Sequence, residues 1–206
     1  MIDRAATEPD RRCAHAGSAR AHDVVLDDFE GTLAGARAVS ADAFAAIYAD
    51  LVRPVAAYLR ARGADDVEDL TSEVFVAVLT GINRFHGDER AFRSWVFTIA
   101  HRRAVDSWRR RARSAALEPL DDPDVGPVAG SAEEGALEAV GRDRVLALLA
   151  TLTDDQRDVL TLRLVADLTV EQVAEVMGKQ VGAVKALQRR GLASVRRAVE
   201  REGVPL

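Results

Sequence analysis

Val170–Arg190 reads VEQVAEVMGKQVGAVKALQRR, and the spacing of its small and apolar residues fixes the fold of the C-terminal part of the chain. Where two short helices cross at close range, the first needs a small residue at the crossing, and Ala174 supplies it. The turn between them favours a residue that accepts positive φ, and Gly178 stands there. Six residues on, Val184 returns an apolar side chain to the shared core, which Val173, Met177 and Leu187 complete. The pattern is that of a helix-turn-helix, against the plainer alternative of a helical hairpin with a glycine C-cap. In such a motif the second helix enters the major groove. Its outward face is Gly182, Lys185, Ala186 and Arg189, with Arg190 alongside. Lys and Arg can donate to guanine edges or phosphates, and the small residues let the groove approach. Arg196, Arg197 and Arg201 lie further along and suit phosphates better.

Upstream of this motif, Thr153 with Gln156 and Thr169 with Gln172 match the capping box that opens a helix. Helical periodicity resumes at about Ala136. Before that, LEPLDDPDVGPVAGSAEE from Leu117 to Glu134 has Pro, Gly and Asp and no helical period, which is a linker composition. In the N-terminal part, FAAIYADLVRPVAAYL (44–59) carries a helical stripe of Phe44, Ile47, Tyr48, Leu51, Val52 and Val55. Pro54 interrupts it as a kink or as the first turn of a second helix. A further helix over 65–79 puts Val67, Leu70, Val74 and Val78 on one face. Phe85 to Glu89 reads as a loop, and a long helix follows with Phe92, Trp95, Val96 and Ile99 buried. That stripe fades into Arg102, Arg103, Arg109, Arg110, Arg111 and Arg113, so the helix end either is simply solvated or reaches toward an anionic partner.

The 206 residues are 48% hydrophobic but only 5% aromatic, which favours helices packed on helices. The formal net charge of −5 hides a segmental pattern. From Arg84 to Arg113 nine Arg stand against Asp88, Glu89 and Asp106; from Lys179 to Glu202 seven cations stand against two acids. Between them, Glu118 to Asp143 holds eight acids and only Arg142. Two basic regions therefore flank an acidic one. No apolar run approaches the roughly 20 residues of a membrane span, and the N-terminus lacks a secretory apolar stretch, so a cytoplasmic location is expected. Cys13 is the single cysteine, and His15, His22, His86 and His101 fall at no metal-ligand spacing. We expect no metal, cofactor, small-molecule substrate or membrane insertion. No nucleophile–base set or phosphate-binding loop points to an enzyme.

Asp65–Asp106 (DDVEDLTSEVFVAVLTGINRFHGDERAFRSWVFTIAHRRAVD) resembles region two of the extracytoplasmic-function sigma factors, and Leu149–Arg197 resembles their region four. Residues 44–59 are similar to the family's opening helices. The resemblance covers roughly residues 24 to 202 and implies an all-α chain of two small helical domains. Residues 1–22 would be a flexible tail, 23–113 the region-two domain, 114–135 a flexible acidic linker and 136–206 the region-four domain.

The resemblance also implies roles. Asp69, Leu70, Glu73, Val74 and Phe75 would dock on the clamp helices of RNA polymerase. Minus-ten DNA would meet Phe85, Asp88, Arg93, Trp95, Arg102, Arg103, Asp106, Arg109 and Arg110, with a flipped base held in the 85–93 loop. Trp95, inside the apolar stripe, suits core packing better than DNA, whereas Trp108 lies beyond the stripe. Gly182, Lys185, Ala186, Arg189 and Arg190 would read the minus-thirty-five element, region four would also meet the polymerase flap, and the linker would thread toward the RNA exit path. An anti-sigma factor is the remaining implied partner. The chain departs from the family pattern at Ser72, at His101-Arg102-Arg103 and at Lys179-Gln180, which puts the docking contact, the minus-ten base preference and the recognition-helix cap in question. The competing reading is a stand-alone helix-turn-helix regulator, but the chain shows no βα alternation for a receiver or ligand domain.

Overall fold

A computed structural model describes residues 28–117 and 136–201; the expected tail and most of the expected linker lie outside the described residues. The described residues form eight α-helices and no strand: α1 (Phe29–Arg37), α2 (Ala41–Ala61), α3 (Val67–Gly81), α4 (Glu89–Leu117), α5 (Ala136–Ala150), α6 (Asp154–Leu164), α7 (Val170–Met177) and α8 (Val181–Arg201). A short 3-10 turn, Ile82–Arg84, links α3 to the loop before α4.

Local chemistry sets the helix starts. Asp28, Ser40 and Asp66 cap α1, α2 and α3 through their side chains. Both expected capping boxes are formed, Thr153 with Gln156 at α6 and Thr169 with Gln172 at α7. Pro54 neither ends α2 nor starts a new helix, because α2 runs unbroken from Ala41 to Ala61. The hydrogen bond that Pro54 cannot donate is lost singly, and burial of Leu51, Val55, Tyr58 and Leu59 on both sides of it holds the helix together.

In the N-terminal half α1–α4 enclose Ile47, Leu51, Val55, Val74, Val78, Phe92, Val96 and Phe97. Trp95 packs close against Gly81, where an added Cβ would stand 2.9 Å from the indole ring. In the C-terminal half α6–α8 close over Val159, Leu162, Leu168, Val173 and Val184. Gly191 of α8 lies close on α6, where a Cβ would meet Leu160 at 3.0 Å. Arg157 ties the end of α5 to α6 by donating to the carbonyls of Leu149 (3.0 Å) and Leu152 (3.2 Å). The two halves are not apart: α7 lies on α4 and α6 on α2.

Candidate nucleic-acid interface

The helix-turn-helix has the geometry its sequence demanded. Ala174 is buried at the crossing, Gly178 ends α7 in the left-handed conformation at φ 62°, and Val184 is fully buried. Because those residues fix how α8 leaves the turn, its outer face is also fixed: Gly182, Lys185, Arg189 and Arg190 are exposed and Ala186 is half-buried. No acid of α8 pairs with Lys185 or Arg189 among the ion pairs of the described residues, whereas Arg196 is bound to Glu200 at 2.9 Å. Lys179, at the departure from the family pattern, reaches back to Asp155 of α6 at 3.0 Å.

The second basic surface is the outer half of α4. This helix of 29 residues is about 44 Å long at 1.5 Å per residue. Its first half is anchored by Phe92, Val96, Phe97 and Ala100 in the core. Beyond them Arg102, Asp106, Arg109 and Arg113 follow at i, i+4, i+7 and i+11, an exposed stripe along one side. Arg110 is exposed beside it, and Trp108 leaves more than half its surface, 56%, open to solvent. A flat aromatic among guanidinium groups offers stacking and phosphate pairing together. Arg103 is less free, since it pairs with Glu73 of α3 at 3.3 Å.

Several residues assigned to DNA by resemblance sit elsewhere. Phe85 is buried, its ring 5.3 Å from Trp95 and 5.1 Å from Phe92 between centroids, so the loop presents no open aromatic there. Asp88 caps α4, accepting from the Ala91 amide at 2.8 Å. Arg93 donates to Asp50 (3.1 Å) and to the Ala166 carbonyl of the other half (3.0 Å). Glu89, read as the end of the loop, begins α4 instead. Burial divides the polymerase-docking set in the same way. Leu70, Val74 and Phe75 are core residues, leaving Asp69 and the half-exposed Glu73 of that set at the surface. The outward side of α3 adds Ser72, Val76 and Leu79, with Val76 62% and Leu79 40% exposed, next to Tyr48 of α2, whose ring packs on Phe75.

Sequence reasoning missed a polar cluster between the halves. Asp158 of α6 is buried and accepts from Arg62 at 3.1 Å and from the Tyr58 hydroxyl at 3.3 Å. His101 of α4 is 2.7 Å from that hydroxyl through Nδ1. A neutral His101 that donates from Nδ1 to Tyr58, which in turn donates to Asp158, uses each proton once. Burial pushes the Asp158 carboxyl up to about 6, against the lowering effect of Arg62. Burial and the Arg62 charge lower His101 to about 4, and burial with the Asp158 charge raises the Tyr58 hydroxyl. His101 thus faces the opposite half, which removes it from the DNA stripe. The helical period offered a signal, because Asp158 lies one and a little less than one turn before the buried Leu162 and Thr161. Among the described residues no cluster of His, Cys, Asp and Glu is built to hold a metal, and no helix is long and apolar enough to cross a membrane.

Comparison with known proteins places these features. The Sigma-70 region 2 family model matches residues 44–114 and the Sigma-70, region 4 model matches residues 148–197. The chain is 33% identical over 164 residues to the ECF RNA polymerase sigma factor BldN of Streptomyces coelicolor, covering 79% of this chain and 62% of that protein's length. It is 35% identical over 142 residues to the ECF RNA polymerase sigma factor ShbA of Streptomyces griseus, covering 65% of this chain and 72% of that relative. The solved structure of CnrH in complex with the cytosolic domain of CnrY shares the fold, with a TM-score of 0.60 at 23% identity over 82% of this chain and 96% of that one.

Proposed function

Because this chain belongs to the extracytoplasmic-function sigma factors of the sigma-70 family, we propose that it binds core RNA polymerase, recognises the minus-thirty-five and minus-ten elements of promoters, and promotes DNA opening. The observation that carries this reading is the presence, in one chain, of two separate basic surfaces on helices of different halves. One is a helix-turn-helix with Lys185, Arg189 and Arg190 outward; the other is the α4 stripe of Arg102, Arg109, Arg110 and Arg113. A groove-reading helix recognises duplex sequence. An arginine stripe beside an exposed Trp108 suits a strand with its bases accessible.

Polymerase docking falls on the outward side of α3, where Asp69 and Glu73 supply charge and Val76 and Leu79 supply apolar surface beside Tyr48. An exposed patch of this kind on a small helical unit fits a protein partner. The chain performs no bond chemistry of its own and works in the cytoplasm with the polymerase. An anti-sigma factor is the partner expected to hold it inactive. A stand-alone regulator is not favoured, since the match to region two spans the part of the chain that such a regulator would use for a sensor. Run-off transcription with core polymerase and fragments of the source genome tests the proposal: the full chain should direct discrete start sites that core polymerase alone does not use. Equal patterns with and without the chain would refute it.

A further inference from the structure

We propose that this chain closes on itself: α7 of the C-terminal half lies on the first turns of α4, whose outer half bears the minus-ten stripe, latched by Asp158 of α6 against Arg62, Tyr58 and His101, and promoter recognition requires that latch to open. The inference rests on the sigma-factor reading above.

Three observations carry it. First, the contact between the halves is specific. The Gln172 side chain donates to the Arg90 carbonyl at 3.0 Å, and Arg93 donates to the Ala166 carbonyl at 3.0 Å. Both acceptors are backbone groups, so the register of α7 on α4 is set by main-chain positions. Thr169, Gln172 and Glu175 then wall a cleft whose opposite side is Arg90, Ser94 and Trp95, at the start of the helix whose outer half bears the arginine stripe. Second, the polar core of the contact is built from both halves. Asp158 is 3% exposed at its side chain and Arg62 13%, so each would lose its charge partner if the halves parted. A buried pair of this kind contributes little net stability, because desolvating two charges offsets their attraction, yet it tolerates one geometry only. That combination gives a contact that is well defined and still openable.

Third, the closed geometry cannot read a promoter. α8 lies on α7 and α7 on α4. Packed helices stand 8–10 Å apart, so the two reading helices are separated by roughly 20 Å. Elements named minus ten and minus thirty-five lie about 25 base pairs apart, roughly 85 Å of duplex at 3.4 Å per pair. The closed chain can hold one element at most, and α7 must leave α4 before both are engaged.

The test uses the full chain carrying Cys13→Ser, Arg90→Cys and Gln172→Cys, bridged by a short bis-maleimide with a reducible spacer. The free chain should bridge readily, and adding Arg62→Ala should slow bridging by roughly tenfold, as loss of a buried charge partner opens the contact. Absence of bridging, or the same rate with Arg62→Ala, would overturn the proposal. Asp158→Asn, which keeps the side-chain shape, should slow bridging as well. With core polymerase and a promoter fragment on which the unbridged chain initiates, the bridged chain should lose run-off product at least about tenfold and recover it when the spacer is reduced. Undiminished initiation by the bridged chain would also overturn the proposal. If the unbridged chain initiated on no fragment, the sigma-factor reading would fail instead, while the bridging rates would still report the latch.

Discussion

Burial shifts Asp158 and His101 in opposite directions, so removing one should leave the pH slope of the other unopposed. Burial raises the Asp158 carboxyl from 3.8 to about 6 and lowers His101 from 6.5 to about 4. Each displacement, about 2 pH units, corresponds to roughly 3 kcal/mol at 1.36 kcal/mol per unit. For Asp158 the folded chain holds the proton more tightly than the unfolded chain. Its contribution is therefore fully present below pH 3.8 and is lost as pH rises through about 6. For His101 the folded chain holds the proton less tightly, so its contribution is present above pH 6.5 and is lost as pH falls through about 4. Between about 4 and 6 the two slopes are nearly equal and opposite.

The perturbation is Asp158→Asn. Burial still lowers His101, as do the Arg62, Lys179 and Arg102 charges against the raising effect of Asp155, so the imidazole stays low and its slope stands alone. Relative to the unsubstituted chain, stability of the variant should then rise with pH by up to about 1.4 kcal/mol per unit through that window. Urea unfolding followed by circular dichroism at several pH values between about 4 and 6 measures it. Taking the difference between the two proteins removes the titration of the exposed carboxylates they share. The sign is the same whether the first transition parts the halves or unfolds the chain, since either brings Asp158 and His101 into water. His101→Gln should give the opposite tilt, with stability falling as pH rises. Parallel curves for Asp158→Asn and the unsubstituted chain would refute the claim that Asp158 is held in a desolvated contact.

Other outcomes follow from the placement of the basic residues. Lys185→Ala or Arg189→Ala should cost about 1–3 kcal/mol at the minus-thirty-five element and flatten preference among its variants, as binding of holoenzyme to a variant series would show. Arg196→Ala, whose guanidinium is shared with Glu200, should weaken all sequences alike and reduce the salt slope by about one unit. The double variant Arg102→Ala, Arg103→Ala should bind core polymerase yet fail to open promoter DNA, seen as lost permanganate reactivity of thymines near the minus-ten element, and a template already mismatched there should restore transcription. Ala174→Leu should overpack the crossing of α7 and α8 and cost about 1–3 kcal/mol by denaturant midpoint.

The local rules were legible because each is enforced within a few residues. Thr153 and Thr169 find their Gln partners three positions on, and Gly178 takes the positive φ that a side chain would resist. The α3 stripe shows where two kinds of inference part. Helical spacing puts Val67, Leu70, Val74 and Val78 on the buried face, and all four are buried. Family resemblance placed Leu70, Val74 and Phe75 at a docking surface, but a docking motif includes the residues that hold the helix in place as well as those that touch the partner. Separating them needs the burial of each side chain. For the same reason Phe85 was assigned to DNA while its ring fills the space between Phe92 and Trp95.

The contact between the halves was not legible, and the reason is physical. Asp158 stands in TDDQRD, and three acids in the opening of a helix read as solvated carboxylates that complement the helix dipole. Asp154 and Asp155 behave that way, both exposed. Asp158 differs only because Tyr58, 100 residues earlier in the chain, and Arg62 close over it. A periodicity argument tells which face of a helix turns inward, and here it turns Asp158 inward with Thr161 and Leu162. It carries no information about a partner contributed by another half of the chain. A buried carboxylate on an otherwise apolar face is therefore the mark to look for. Such a group is costly alone, so its presence requires a cation or donors from elsewhere in the fold. In this chain that requirement is met by Arg62 and Tyr58, across the boundary that composition marks as a linker.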